Sequence, residues 1–190
     1  MSRTRLGLGS IVLAGLVSAV VLSQSGAGEN KALRDGVDKV AASIQKGDKD
    51  AAKKDAEAIA KKIEDLADLM DLFKPTKKGG IGFDDKTGIE QMLQGLGRDA
   101  PSGASLKKNA EGLQKMAYRT AAMALITHER PVSKASSGGA RKEWNGWSDD
   151  IVEGSIKLAA AAKAMGAADV KTAAAKINAA CNSCHSKHRQ

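Results

Sequence analysis

The stretch ADVKTAAAKINAACNSCHSKHR, residues 168–189, decides how the chain is read. Val170, Ala174, Ile177, Cys181 and Cys184 recur there at three- and four-residue steps, the spacing that gathers side chains on one face of an α-helix. The stretch contains neither Pro nor Gly, so nothing in it interrupts the helix. An apolar core stripe therefore runs directly into the only two cysteines of the chain.

Working outward, Gly166 separates this helix from one expected over 140–165. There Trp144, Trp147, Ile151, Ser155, Leu158, Ala162 and Met165 repeat the same period. A third long helix is expected from Ser105 to about His128, with Leu113, Met116, Thr120, Met123 and Thr127 on one face and Pro131 closing it. Residues 133–139 read as a loop. Near the other end, Leu33, Val37, Val40 and Ile44 mark a helix over 30–46 that Gly47 ends. Asp48 can cap the next, whose stripe Ala52, Ala56, Ile59, Ile63, Leu66, Met70 and Phe73 predicts one continuous helix up to Lys74-Pro75. Residues 75–103 are punctuated by glycines and leave room only for a short helix around 89–96. Such a long connection is uncommon in a compact domain unless it is functional, and folding over a cofactor edge is one use for it.

Aromatic residues are 3% of the 190, whereas Ala, Lys, Leu, Glu and Asp fill most of the chain, a balance that suits helices and starves sheets. The expected fold is all-α. Short turns between long amphipathic helices favour antiparallel neighbours, which gives an up-and-down four-helix bundle with one extra helix and a long Gly-rich connection. At the N-terminus, Arg3 and Arg5 precede an uncharged apolar run over 6–22 and the small residues Ser25-Gly26-Ala27. This is the pattern of an export signal, so the expected organisation is a signal peptide over 1–27 and one helical domain over 28–190. The alternative is a retained anchor, the one circumstance in which a membrane becomes a partner. Removing 1–27 leaves 28 basic against 22 acidic residues, a net +6. Without an Arg-rich stripe or interleaved aromatics, that modest excess excludes nucleic acid as an expected partner.

Cys181-Asn182-Ser183-Cys184-His185 has the form C-x-x-C-H. Two thiols one helical turn apart can each form a thioether to a porphyrin vinyl group, and the adjacent imidazole can then ligate the iron. An export signal agrees with this reading, because c-type haem is attached outside the bacterial cytoplasm. Three other uses of these residues compete. A dithiol redox pair normally sits at a helix start beside a βαβ pattern, which is missing here. Zinc on Cys181, Cys184, His185 and His188 would lack the usual separation between ligand pairs. A disulfide across one turn would close too short a loop to stabilise much.

The ending Ala179 to Arg189 resembles the last helix of the class II c-type cytochromes, the cytochrome c′ family, including the Arg after the motif. Lys46-Gly47-Asp48 followed by an Ala-rich helix is similar to that family's first hairpin, and Glu143-Trp144 resembles the start of its third bundle helix. The resemblance covers about 28–74 and 139–190. It implies a four-helix bundle of cytochrome c′ type, one covalent haem c held by Cys181 and Cys184, His185 as proximal iron ligand, and a homodimer. Residues 75–138 depart from the family, whose connection there is much shorter. So does 30–46, which contains neither the Met that some members use as sixth ligand nor a His.

If the last helix ends at the haem, its antiparallel predecessor begins there, which brings Trp144 and Trp147 close. The helix before that ends nearby. Met123, Thr127 and His128 are then the best-placed distal groups, with Met123 or His128 as candidate iron ligands. Tyr118 to Met123 resembles the Arg and Met spacing of the family's ligand-bearing helix. Against this, Met123 has the pattern of a core residue, and His128 that of a solvated side chain at a helix C-terminus. Arg34 and Arg119 are candidate partners for propionates.

No acid, base or nucleophile cluster stands out, so the expected function is electron transfer by an exported, periplasmic monohaem cytochrome rather than catalysis. It would need a redox partner protein. Two alternatives are a five-coordinate haem protein that binds a diatomic gas, and a haem-free helical thiol or interaction protein.

Overall fold

The computed structural model describes residues 25–130 and 138–188; the expected export signal up to residue 24 and most of the expected 133–139 loop lie outside them. The described chain is all-helical. Its helices are α1 (Ser25–Lys46), α2 (Lys49–Ala60), α3 (Leu66–Asp71), α4 (Ile89–Arg98), α5 (Gly103–Glu129), α6 (Gly138–Lys163) and α7 (Ala167–His188), with one 3-10 turn at Thr76–Lys78. No helix among the described residues is long and apolar enough to cross a membrane.

The first turn forms as its sequence dictates. Gly47 adopts φ +76°, which a residue without Cβ takes at no steric cost, and the Asp48 amide reaches back to the Ser43 carbonyl at 3.0 Å. Asp48 then accepts from the Ala51 amide at 3.0 Å and starts α2. The two helices lie close and antiparallel: a Cβ on Gly36 would come 2.9 Å from Ile59 Cδ1, and Lys39 pairs with Asp55 at 2.9 Å.

The continuous helix expected over 48–73 is instead two helices. Asp65 accepts from the Ala67 amide at 2.8 Å and begins α3 anew. The carbonyls released at the break are taken from across the fold, where the Arg130 guanidinium donates to Ile63 O at 2.9 Å and to Glu64 O at 2.7 Å. A side chain distant in sequence thus stabilises an interruption that the apolar stripe conceals.

Residues 72–88 double back on themselves. The Ile81, Gly82 and Ile89 amides donate to the carbonyls of Leu72, Lys74 and Phe73 at 2.8–3.0 Å. A Cβ on Gly80 would sit 1.9 Å from Lys74 O, so only glycine permits the approach. Arg119 of α5 donates to Ile81 O at 3.4 Å and ties the loop to the body.

α5 is the hub, packing on α1, α2 and α6; α6 in turn carries α7, and α7 carries α4. Arg119 clamps Asp38 of α1 through two bonds of 2.6 and 2.8 Å. The four longest helices alternate in direction along the chain, α1 against α5, α5 against α6, α6 against α7. Their shared core includes Val37, Leu113, Met116, Met123, Leu158 and Ile177, each 2% exposed or less. Gly166 lies between α6 and α7 as expected. Met165, not Gly166, takes the left-handed conformation at φ 61°.

Candidate functional site

Val170, Ala173, Ala174, Ile177 and Ala180 anchor α7 in the core and carry Cys181, Cys184 and His185 on its last two turns. Both cysteines are free thiols and half-buried, as is His185. Cys181 packs against the edge of the core. Burial pushes its thiol up to about 12, with the neighbouring Cys184 and the Glu90 carboxylate adding to the effect. Burial likewise raises Cys184. Neither thiol is therefore primed as a thiolate in the folded, haem-free chain, which argues against a low-pKa dithiol redox pair.

The end of the molecule around the motif is built from α5, α6 and α7 together. Trp144 Nε1 donates to Thr127 O at 2.9 Å, and Arg141 donates to His128 O at 3.1 Å and to Arg130 O at 3.0 Å. The start of α6 thus satisfies carbonyls that the end of α5 leaves open. Across from them, His188 meets both tryptophans edge-on, with centroids 5.1 Å from Trp144 and 5.8 Å from Trp147. Lys187 lies 5.4 Å from the Trp147 ring centroid and bonds Glu143 at 2.7 Å. Both tryptophans thus lie beside the last turn of α7. His188 is exposed, yet it packs on both rings, a contact not anticipated from the sequence.

Met123 is fully enclosed in the core. His128 lies against carboxylates: Nδ1 is 3.1 Å from Glu129 Oε1 and Nε2 is 3.6 Å from Asp149 Oδ1. Among the described residues, no hydrogen bond or ion pair joins either candidate to Cys181, Cys184 or His185. Arg119, a candidate propionate partner, is engaged by Asp38.

The short helix expected around 89–96 is present as α4, but its packing on the motif-bearing α7 was not anticipated. It packs on α7, and a Cβ on Gly97 would come 3.2 Å from Ala175 Cα. Its first turn carries Glu90, whose charge reaches the Cys181 thiol. The only local hint was the glycine at 97, which allows a close approach but does not name the partner helix.

Two free thiols one turn apart, followed by an imidazole, form a donor set that suits covalent haem. Among the described residues no group of three or more His, Cys, Asp or Glu side chains is arranged to hold a metal ion. Two surface grooves lie away from the motif, one of about 440 Å³ between Lys157 of α6 and Lys176 of α7, the other of about 370 Å³ between α1 and α5. No protein-family model, curated protein or solved structure matches the chain.

Proposed function

We propose that this chain is an exported, periplasmic c-type cytochrome that carries one haem c and passes electrons to and from a redox partner protein. Cys181 and Cys184 hold the group by thioethers, and His185 supplies the proximal nitrogen. The observation that carries the reading is the pair of free, half-buried thiols at i and i+3 on one helix, with His185 next in line. The haem, when bound, supplies a one-electron iron couple; the protein's part is to anchor it, orient the imidazole and limit its exposure to water. We read the architecture as an up-and-down four-helix bundle of cytochrome c′ type. The antiparallel pairs α1–α2 and α6–α7, packed on either side of α5, support this. A homodimer belongs to the same reading.

Absorption spectra of the exported, purified chain in both oxidation states, with an intact mass, test the proposal. The expected result is a c-type spectrum and a mass increased by one haem. A colourless chain with two alkylatable thiols, made alongside a competent attachment system, overturns it.

A second reading follows from the surroundings of α5. Met123 is enclosed and His128 is engaged with Glu129 and Asp149, which favours an iron without a sixth protein ligand. Such a haem binds diatomic gases. Rapid stoichiometric carbon monoxide binding by the ferrous protein is expected on this reading, and its absence supports the six-coordinate carrier. Met123→Ala and His128→Ala spectra then identify which residue ligates.

A further inference from the structure

We infer that α4 forms a wall of the haem site beside Cys181, and that the Glu90 carboxylate on it lowers the reduction potential of the haem. The inference rests on the haem reading above and goes beyond it by naming a residue outside the motif.

The placement follows from helix register. At Gly97 the backbone of α4 approaches α7 so closely that a Cβ would lie 3.2 Å from Ala175 Cα and 3.6 Å from Ala174 C. Each helix rises about 1.5 Å per residue, and with Gly97 set against Ala174 and Ala175 only an antiparallel pairing leaves Glu90 within electrostatic reach of Cys181. Glu90 lies seven positions before Gly97, and Cys181 lies seven positions after Ala174. The two residues are therefore level with each other across the helix pair. Ile89 and Leu93, 0% and 1% exposed, fix the rotation of α4, and the Gln94 amide donates to Glu90 Oε1 at 3.2 Å. An anion in the first turn is also favoured by the helix dipole.

A haem joined to Cys181 has its edge at that sulfur. Ferric haem carries one more positive charge than ferrous, so a carboxylate alongside stabilises the oxidised form and makes the iron harder to reduce. The electron comes from the redox partner protein.

Glu90→Gln removes the charge while keeping shape and amide contacts, and Glu57→Gln on α2, which packs on α1 and α5, serves as a control. In the haem-bearing protein the midpoint potential of E90Q is expected to rise above wild type, while E57Q stays unchanged. In the full chain made without haem, alkylation of Cys181 relative to Cys184 is expected to rise about two-fold in E90Q, roughly what a unit charge about 8 Å away through water supplies. An unchanged alkylation ratio, or an unchanged or lowered potential in a haem-bearing E90Q, overturns the inference and leaves the haem reading standing. A wild-type chain that never takes up haem overturns both.

Discussion

Cys181 carries opposite demands at different stages. Thioether chemistry needs the sulfur accessible, whereas in the haem-free fold the same sulfur lies at the edge of the core with its ionisation pushed up to about 12. Native haem-free chain is therefore expected to alkylate slowly at Cys181 near pH 8 and quickly once guanidinium unfolds it, as peptide mass mapping would read. The raised value also has a stability consequence. The folded state holds the thiol proton more tightly than the unfolded chain, so this contribution is complete below the ordinary thiol value of 9.0 and is lost as pH rises toward about 12. Denaturation midpoints should fall over that range in wild type and fall less in Cys181→Ala. Met123 answers a different question. With no exposed surface, its truncation to Ala should cost about 2–5 kcal/mol in the haem-free chain by chemical denaturation, whatever its relation to the iron. The motif itself was legible because five consecutive residues carry it. The place of Glu90 was not, because it depends on where α4 docks.

At the scale of elements, periodicity located the long helices closely, since each buries one apolar face and the 3.6-residue repeat records it. Two local features escaped that logic. The break between α2 and α3 leaves the stripe intact, because Ile59, Ile63 and Leu66 stay in phase; the interruption shows only in the Asp65 cap and the reach of Arg130. At the α6–α7 turn the left-handed residue is Met165, one before Gly166, at φ 61° and 42% exposed. For a side chain with a Cβ, that conformation costs about 1–2 kcal/mol. Met165→Gly should relieve the strain, partly offset by glycine's greater freedom when unfolded, for a net gain of about 0.5–1 kcal/mol. Thermal denaturation of a domain this size would show it as a rise of about 1–4 °C. A loss of stability instead would mean that Met165 packs usefully where it stands.

Across the whole molecule, α5 joins two groups of helices, α1 with α2 on one side and α6 with α7 and α4 on the other. The second group bears the motif, so the geometry of any cofactor site depends on how firmly α6 and α7 hold together. Their seam combines buried small residues with ion pairs at the surface: Lys176 of α7 contacts Glu153 at 2.5 Å and Asp150 at 3.1 Å, and Lys187 contacts Glu143 at 2.7 Å. The hydrogen bond from Lys157, then that from Lys176, draws Glu153 from the ordinary 4.5 down to about 2. A depressed carboxylate contributes stability above its unfolded value and loses that contribution as pH falls through the folded one. The chain also carries a formal net charge of +8, so protonating carboxylates adds repulsion to an already basic surface. Acidification from about pH 4.5 to 2 should therefore loosen the α6–α7 seam, with only a modest share from Glu153 because the pair is exposed and screened by salt. Denaturation midpoints measured across that range at low salt should fall more steeply in wild type than in Glu153→Gln, and the difference should shrink at high salt. Parallel curves for the two proteins would mean that the ion pairs ride on a seam held by its packing alone.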